Sequence, residues 1–392
     1  MIRGLARAGL ALACAGLAAG CGTQTVKVGG TGPPPVIVPL STSLVTAQGT
    51  WAIAVMGGSA ASDNNFWQLF VRPTGASRWS LVTPPGVADN GGLVAAGGGT
   101  SLTVGFRPSQ DLAFSPLATS TDDGKNWTPG LLGAGLAGTP GAIAVASSGR
   151  ALALLQDGTI AAAPTATAAA AGQWTQLTTR NALAASAPGR SCGLTSVHAV
   201  SFGPGMSPMA AGSCERPGVA GVFTYASGRW RSAGLALPAT FGGDQVQVLG
   251  LTADSGGDAA LLLAGNSLLA AWWTGTRWTV SDPVSAGTLR ARGFGASGSA
   301  WVLLGSGRAE TIGGPGGSWQ ALPPAPPGTA TLAPPGAAVG SATAGATGGA
   351  TGAGSYEALA VSGSRLTVWR LAQRAWAKVQ LITVPIQYGS SG

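Results

Sequence analysis

The residues able to do chemistry in this chain are few. A single histidine, His198, stands among 392 residues. A Ser–His–Asp relay would have to use it, and no G-x-S-x-G turn frames a serine as its nucleophile. A metal centre needs several N, S or O ligands held together. With one histidine, four cysteines and no C-x-x-C pair, no metal is expected. The neighbouring acids Asp122–Asp123 and Asp254/Asp258 read as turn residues rather than as catalytic carboxylate pairs. With 65 glycines, no single Gly-rich stretch marks a phosphate or dinucleotide loop, and no cofactor is expected. The formal charge is +8, or +6 without Arg3 and Arg7, but the basic residues are scattered with no run of three. That pattern does not point to nucleic acid. Binding, rather than catalysis, is the expectation these residues support.

The elements around them are set by composition and by a repeat. Hydrophobic residues make up 45% and charged residues 9%, with 26 prolines besides the glycines. A large core and many turns follow, and no stretch shows a capped amphipathic helix of three turns. Tryptophan recurs after a turn, usually one carrying glycine: Trp79, Trp127, Trp174, Trp230, Trp278, Trp319 and Trp376. The steps are 48, 47, 56, 48, 41 and 57 residues, a spacing that suits four-stranded propeller blades. Short apolar or alternating runs precede each tryptophan. Ala142–Ala146 and Ala151–Leu155 lead to Trp174; Val246–Leu251, Ala259–Ala264 and Ser267–Trp273 lead to Trp278. Ala161–Ala171, interrupted by Pro164, reads as a hairpin loop. The expected fold is an all-β, seven-bladed β-propeller, with six blades as the alternative. Blades are expected over 43–86, 87–137, 138–184, 185–239, 240–285, 286–324 and 325–386. A strand near Val36–Leu40 is expected to pair with the last blade and close the ring, and 336–355 reads as a low-complexity loop.

One repeat carries more. Ser120, Asp122, Gly124 and Trp127 match S-x-D-x-G-x-x-W. In such a turn Asp122 can accept from backbone N–H groups, Gly124 can take positive φ, and Trp127 can pack between sheets. The motif resembles the Asp-box of BNR repeats in sialidase-like propellers. Enzymes of that family use three arginines, a Tyr paired with a Glu, and an Asp. Here Phe106–Arg107–Pro108 is only a partial echo of the family's Arg-Ile-Pro. The three tyrosines are Tyr225, Tyr356 and Tyr388, and the three glutamates Glu215, Glu310 and Glu357. Tyr356 and Glu357 are adjacent, so on a strand they point to opposite faces. Tyr225 with Glu215 is a conceivable pair that no motif supports. Arg107, Arg290 and Arg292 would be the clamp. The resemblance therefore implies fold but no catalytic set, and Arg beside Trp (Arg78–Trp79, Arg229–Trp230, Arg277–Trp278) is a candidate binding feature.

Residues 1–20 read as a signal peptide: Arg3 and Arg7, an apolar Ala8–Leu17 too short to span a bilayer, and a small-residue cleavage site. Leu17–Cys21 (LAAGC) resembles a bacterial lipobox, with its leucine four rather than three residues before the cysteine. The resemblance implies lipidation at Cys21, a flexible tether over 21–35 and a membrane partner through the anchor, on the outer face of the cytoplasmic membrane. Cys14 would leave with the signal. The two remaining cysteines, Cys192 and Cys214, are then expected to form a disulfide in an oxidising compartment. The body, 36–392, is expected to bind an unknown envelope protein or a glycan without catalysis, in the manner of assembly-factor propellers. A divergent sialidase-like glycoside hydrolase is the alternative.

Overall fold

The computed structural model describes residues 43–46, 49–57, 65–87, 92–98, 100–106, 114–133, 139–167, 173–254, 257–335 and 355–385. The signal segment, Cys21, the tether, the expected closing strand at 36–40, Arg107, Tyr388 and 336–354 of the low-complexity stretch lie outside them.

The recurring unit is an antiparallel meander in which chain order equals sheet order. Ser43–Val45, Gly49–Gly57, Asn65–Pro73 and Ser80–Leu81 form the first. Four more four-stranded sheets begin at Leu93, Ala142, Leu289 and Thr329. A nine-stranded sheet contains two further meanders, Leu194–Ser232 and Val246–Val280, with Val284–Ser285 added beside Ser267–Trp273. One residue pair, Ser213 with Gln247, joins its halves. The final sheet draws all four strands from 329–383.

Period-2 alternation explains how these sheets stack. In Gly257–Ala264, Ala260, Leu262 and Ala264 pack toward the preceding meander and Ala259, Leu261 and Leu263 toward the next. Both faces are buried, so the strand reads as a continuous apolar run. The first strands of the sheets approach one another around a hub. The fold is a β-propeller.

The recurring tryptophans sit between sheets, each in the apolar cluster shared with the preceding meander. Trp127 joins the cluster of Trp51, Leu69 and Leu102; Trp230 that of Leu152 and Phe223; Trp278 that of Met209 and Leu262. Trp79 does the same between the first sheet and the last, beside Leu359, Leu366 and Val368. That contact closes the ring by face packing, with a backbone bond from Gly57 N–H to the Gly363 carbonyl.

Two segments differ from the sequence expectation. Ala161–Ala163 ends a strand, Thr159–Ala163, rather than lying in a loop, because it pairs with Ala151–Leu154. Arg180–Ala185 and Ala187–Cys192 are two six-residue helices, N-capped by Thr179 and Ser186 and closed by Gly193 in the left-handed region. Each is too short for helical periodicity to show in sequence.

Candidate functional site

The Ser120–Trp127 segment is a tight turn between two strands. Ser120 Oγ donates to Asp122 Oδ1 (2.9 Å) and accepts from Gly124 N–H (2.9 Å), while Asp122 Oδ1 accepts from Asn126 N–H (2.9 Å). The Asn126 backbone bond, then its side chain, holds the Asp122 carboxyl below the usual range. Gly124 has φ 78°, and a Cβ there would lie 2.6 Å from Val82 Cβ. The next strand starts one residue beyond Trp127, at Thr128. All these polar groups bind one another, and the turn acts on architecture.

At the hub, His198 lies on the strand Leu194–Gly203 and Arg292 on Leu289–Phe294. His198 Nε2 is 2.8 Å from Ser196 Oγ and 3.2 Å from Ser213 Oγ. Burial, and secondarily Arg292, push its imidazole below the ordinary value. Burial lowers Arg292 to about 10, which leaves it charged at neutral pH. The native state thus takes up a proton at His198 less readily than the unfolded chain does. Neutral His198 costs nothing above about pH 6.5, and the penalty grows as pH falls below that value. Stability measured by urea unfolding is expected to decline from pH 7.5 to 5.5, with His198→Gln flattening that limb. An equally steep limb in the variant would exclude His198 as its source.

The groups named for a sialidase-like site do not meet among the described residues. Arg290 is exposed while Arg292 is half-buried. The Tyr356 hydroxyl bonds Thr311, and burial raises its pKa. Glu357 faces the opposite seam, where Arg72 and Arg370 hold it. The Tyr225 ring packs tilted against Trp230, centroids 5.2 Å apart, and Glu215 is exposed. Arg78 and Arg277 are exposed on the turns before their tryptophans, and exposed Arg229 opens the strand Arg229–Ser232.

A cleft of about 280 Å³ opens between the Leu194–Ser232 and Val246–Val280 meanders. Its wall is Trp273 and Trp278, paired across strands with ring centroids 5.9 Å apart at 62°. Trp278 keeps its indole N–H on the Ala233 carbonyl (3.0 Å), which fixes the ring. Asp258, only 7% exposed, supplies a carboxylate, and Ser207, Thr224 and Ser232 supply hydroxyls. Asp258 lies on the strand Gly257–Ala264 rather than in a turn, because the hairpin pairs Ala253 with Asp258 and turns beyond them. A Cβ on Gly203 would come within 3.3 Å of Asp258 Oδ2 and 2.5 Å of Met209 Sδ, so the glycine admits both side chains. Sequence reasoning identified Trp278 as structural and missed Asp258. The one available signal was an acid beginning an otherwise apolar run.

No family model matches the chain, and no curated protein matches it. Solved structures do. The Pseudomonas aeruginosa periplasmic gluconolactonase PpgL is 14% identical over 85% of this chain and 96% of its own, with a TM-score of 0.49. YCF48 from Cyanidioschyzon merolae is 17% identical over 87% and 96%, with a TM-score of 0.42. The fucose-recognising, six-bladed β-propeller lectin of Aleuria aurantia is 13% identical over 89% and 96%, with a TM-score of 0.40. Likeness at this level bears on neither activity nor ligand.

Proposed function

We propose that the chain is a lipid-anchored, extracytoplasmic, seven-bladed β-propeller that works as a non-catalytic binding or assembly module for an envelope protein or glycan. The observation that carries the binding role is the Trp273–Trp278 cleft, an aromatic wall with one carboxylate and three hydroxyls on rigid strands. The seven-blade count treats the nine-stranded sheet as two blades, since a single residue pair joins its halves and a full apolar cluster separates them. Membrane attachment and envelope location follow from the Arg3-to-Cys21 signal, whose cysteine would carry acyl chains at about 0.8 kcal/mol per buried CH2. The Ser120–Trp127 turn supports kinship with Asp-box propellers.

Two measurements test this. In detergent phase partitioning, the wild type is expected in the detergent phase and Cys21→Ser in the aqueous phase. A variant that stays in detergent would end the anchor reading. Crosslinking on intact cells, followed by affinity capture, is expected to return an envelope protein or glycan. Capture that does not depend on the cleft face would remove the binding-module reading of that face.

A further inference from the structure

We infer that the cleft between the Leu194–Ser232 and Val246–Val280 meanders is a subsite for one neutral pyranose ring. The inference rests on the binding-module reading and gives it a ligand class.

A pyranose presents a face of C–H groups and a rim of hydroxyls. Its receptor therefore needs one aromatic face beside a set of donors and acceptors. Trp273 and Trp278 cross at 62° and are both half-buried, so a sugar would stack on one ring with the other edging it. Asp258, a residue 7% exposed, lines the cleft beside its own protein contacts, and its remaining acceptor capacity can take a charge-assisted bond from a sugar hydroxyl. The hydroxyls of Ser207, Thr224 and Ser232 donate and accept equally, as alternating sugar hydroxyls require.

The same molecule shows what a filled seam looks like. Between the first and last sheets, Trp79 is only 2% exposed, with Arg72 over its ring at 5.6 Å and Glu357 on its indole N–H. Around Trp278 the lining neighbours Ala226, Ala233 and Ser232 are small, and the ring stays half-buried rather than covered as Trp79 is. The space they leave, about 280 Å³, falls just below the usual range of ligand sites, which limits it to a single ring. The lining carries one ionisable side chain, and it is acidic. A carboxylated sugar would meet that charge, so the cleft selects against sialic acid.

The test uses the full lipidated chain in sulfobetaine micelles, free of sugar headgroups. Methyl α-glycosides of glucose, galactose, mannose and fucose are titrated, with 3′-sialyllactose and choline alongside. Tryptophan fluorescence and saturation-transfer NMR read the binding. At least one neutral glycoside is expected to saturate. Trp273→Ala and Asp258→Asn are each expected to weaken it by about tenfold or more, the worth of one charge-assisted bond or stacked ring. Ser232→Trp, at an exposed rim position, is expected to block it with an unchanged unfolding midpoint. No neutral glycoside binding, binding that Ser232→Trp leaves intact, or tighter binding of sialyllactose or choline would each overturn the inference. Should the sugar arm fail while cellular capture still yields a partner that Ser232→Trp abolishes, the ligand class falls and the binding-module reading stands. Failure of both removes both.

Discussion

Replacing Glu357 by alanine is expected to cost about 3–5 kcal/mol of folding stability. The carboxylate is fully buried and stands at the seam where the last sheet meets the first. Oε1 accepts from Arg370 Nε at 2.8 Å and lies 2.8 Å from its Nη2; Oε2 accepts from the Trp79 indole N–H at 2.6 Å and lies 2.9 Å from Arg72 Nη1. Both oxygens of the carboxylate are thus held by a hydrogen bond and an ion pair. Its removal strands Arg72, whose side chain is 13% exposed, and a buried indole N–H. Arg370, 34% exposed, can rehydrate once Glu357 is gone, whereas Arg370→Ala leaves Oε1 buried without its partner while Oε2 stays held, and is expected to cost about 2–3 kcal/mol, less than Glu357→Ala. Urea unfolding of the two variants checks the ranking. A loss below about 1 kcal/mol for Glu357→Ala would mean that the seam relaxes around the missing charge. Hydrogen exchange at the Gly57 amide, bonded to the Gly363 carbonyl, reports on the seam itself and is expected to accelerate more than exchange within Gly257–Ala264.

That seam also marks how far the sequence could be read. The meanders were legible because period-2 runs, glycine turns and a tryptophan every 41–57 residues are local signals. The Ser120–Trp127 turn was legible for the same reason, since its hydrogen bonds span two to four residues. The closure was not. Trp79 and Glu357 are 278 residues apart, and Trp79 and Gln380, which bond through the Trp79 backbone, are 301 apart. No periodicity links them. Tyr356–Glu357 was correctly read as pointing two ways, but which neighbour each side chain would meet depends on ring geometry. Asp258 was misplaced because Asp254, Gly256 and Gly257 around it have turn composition, while the ladder runs through Ala253–Asp258. Burial within a cleft is a property of two meanders together, which neither sequence segment carries alone.

Loss of the Cys192–Cys214 disulfide is the second large effect, expected at about 3 kcal/mol for its 22-residue separation in the chain-entropy model. The bond is present, with Cα atoms 5.3 Å apart, and it joins a helix to a strand. Cys192 ends the helix Ala187–Cys192, and Cys214 ends the strand Ser207–Cys214. The crosslink therefore ties the short helices to the meander that carries Ser207 and Met209 of the cleft. Both sulfurs are buried in the cluster of Leu183, Leu194 and Phe223, so reduction also places two thiols in an apolar setting they tolerate well. The native ladder of Leu194–Gly203 with Ser207–Cys214 remains to hold the hairpin. Most of the cost should then come from the freed unfolded chain rather than from lost native contacts. Cys192→Ala/Cys214→Ala is thus expected to lower the urea midpoint while far-ultraviolet dichroism stays native. A shift in the denaturant slope would show instead that the two helices had detached from the native fold. Sugar titration of the same variant separates these outcomes at the cleft: an unchanged affinity would place the disulfide's role in stability alone, and a weakened one would show that the helices help to hold the cleft strands in place.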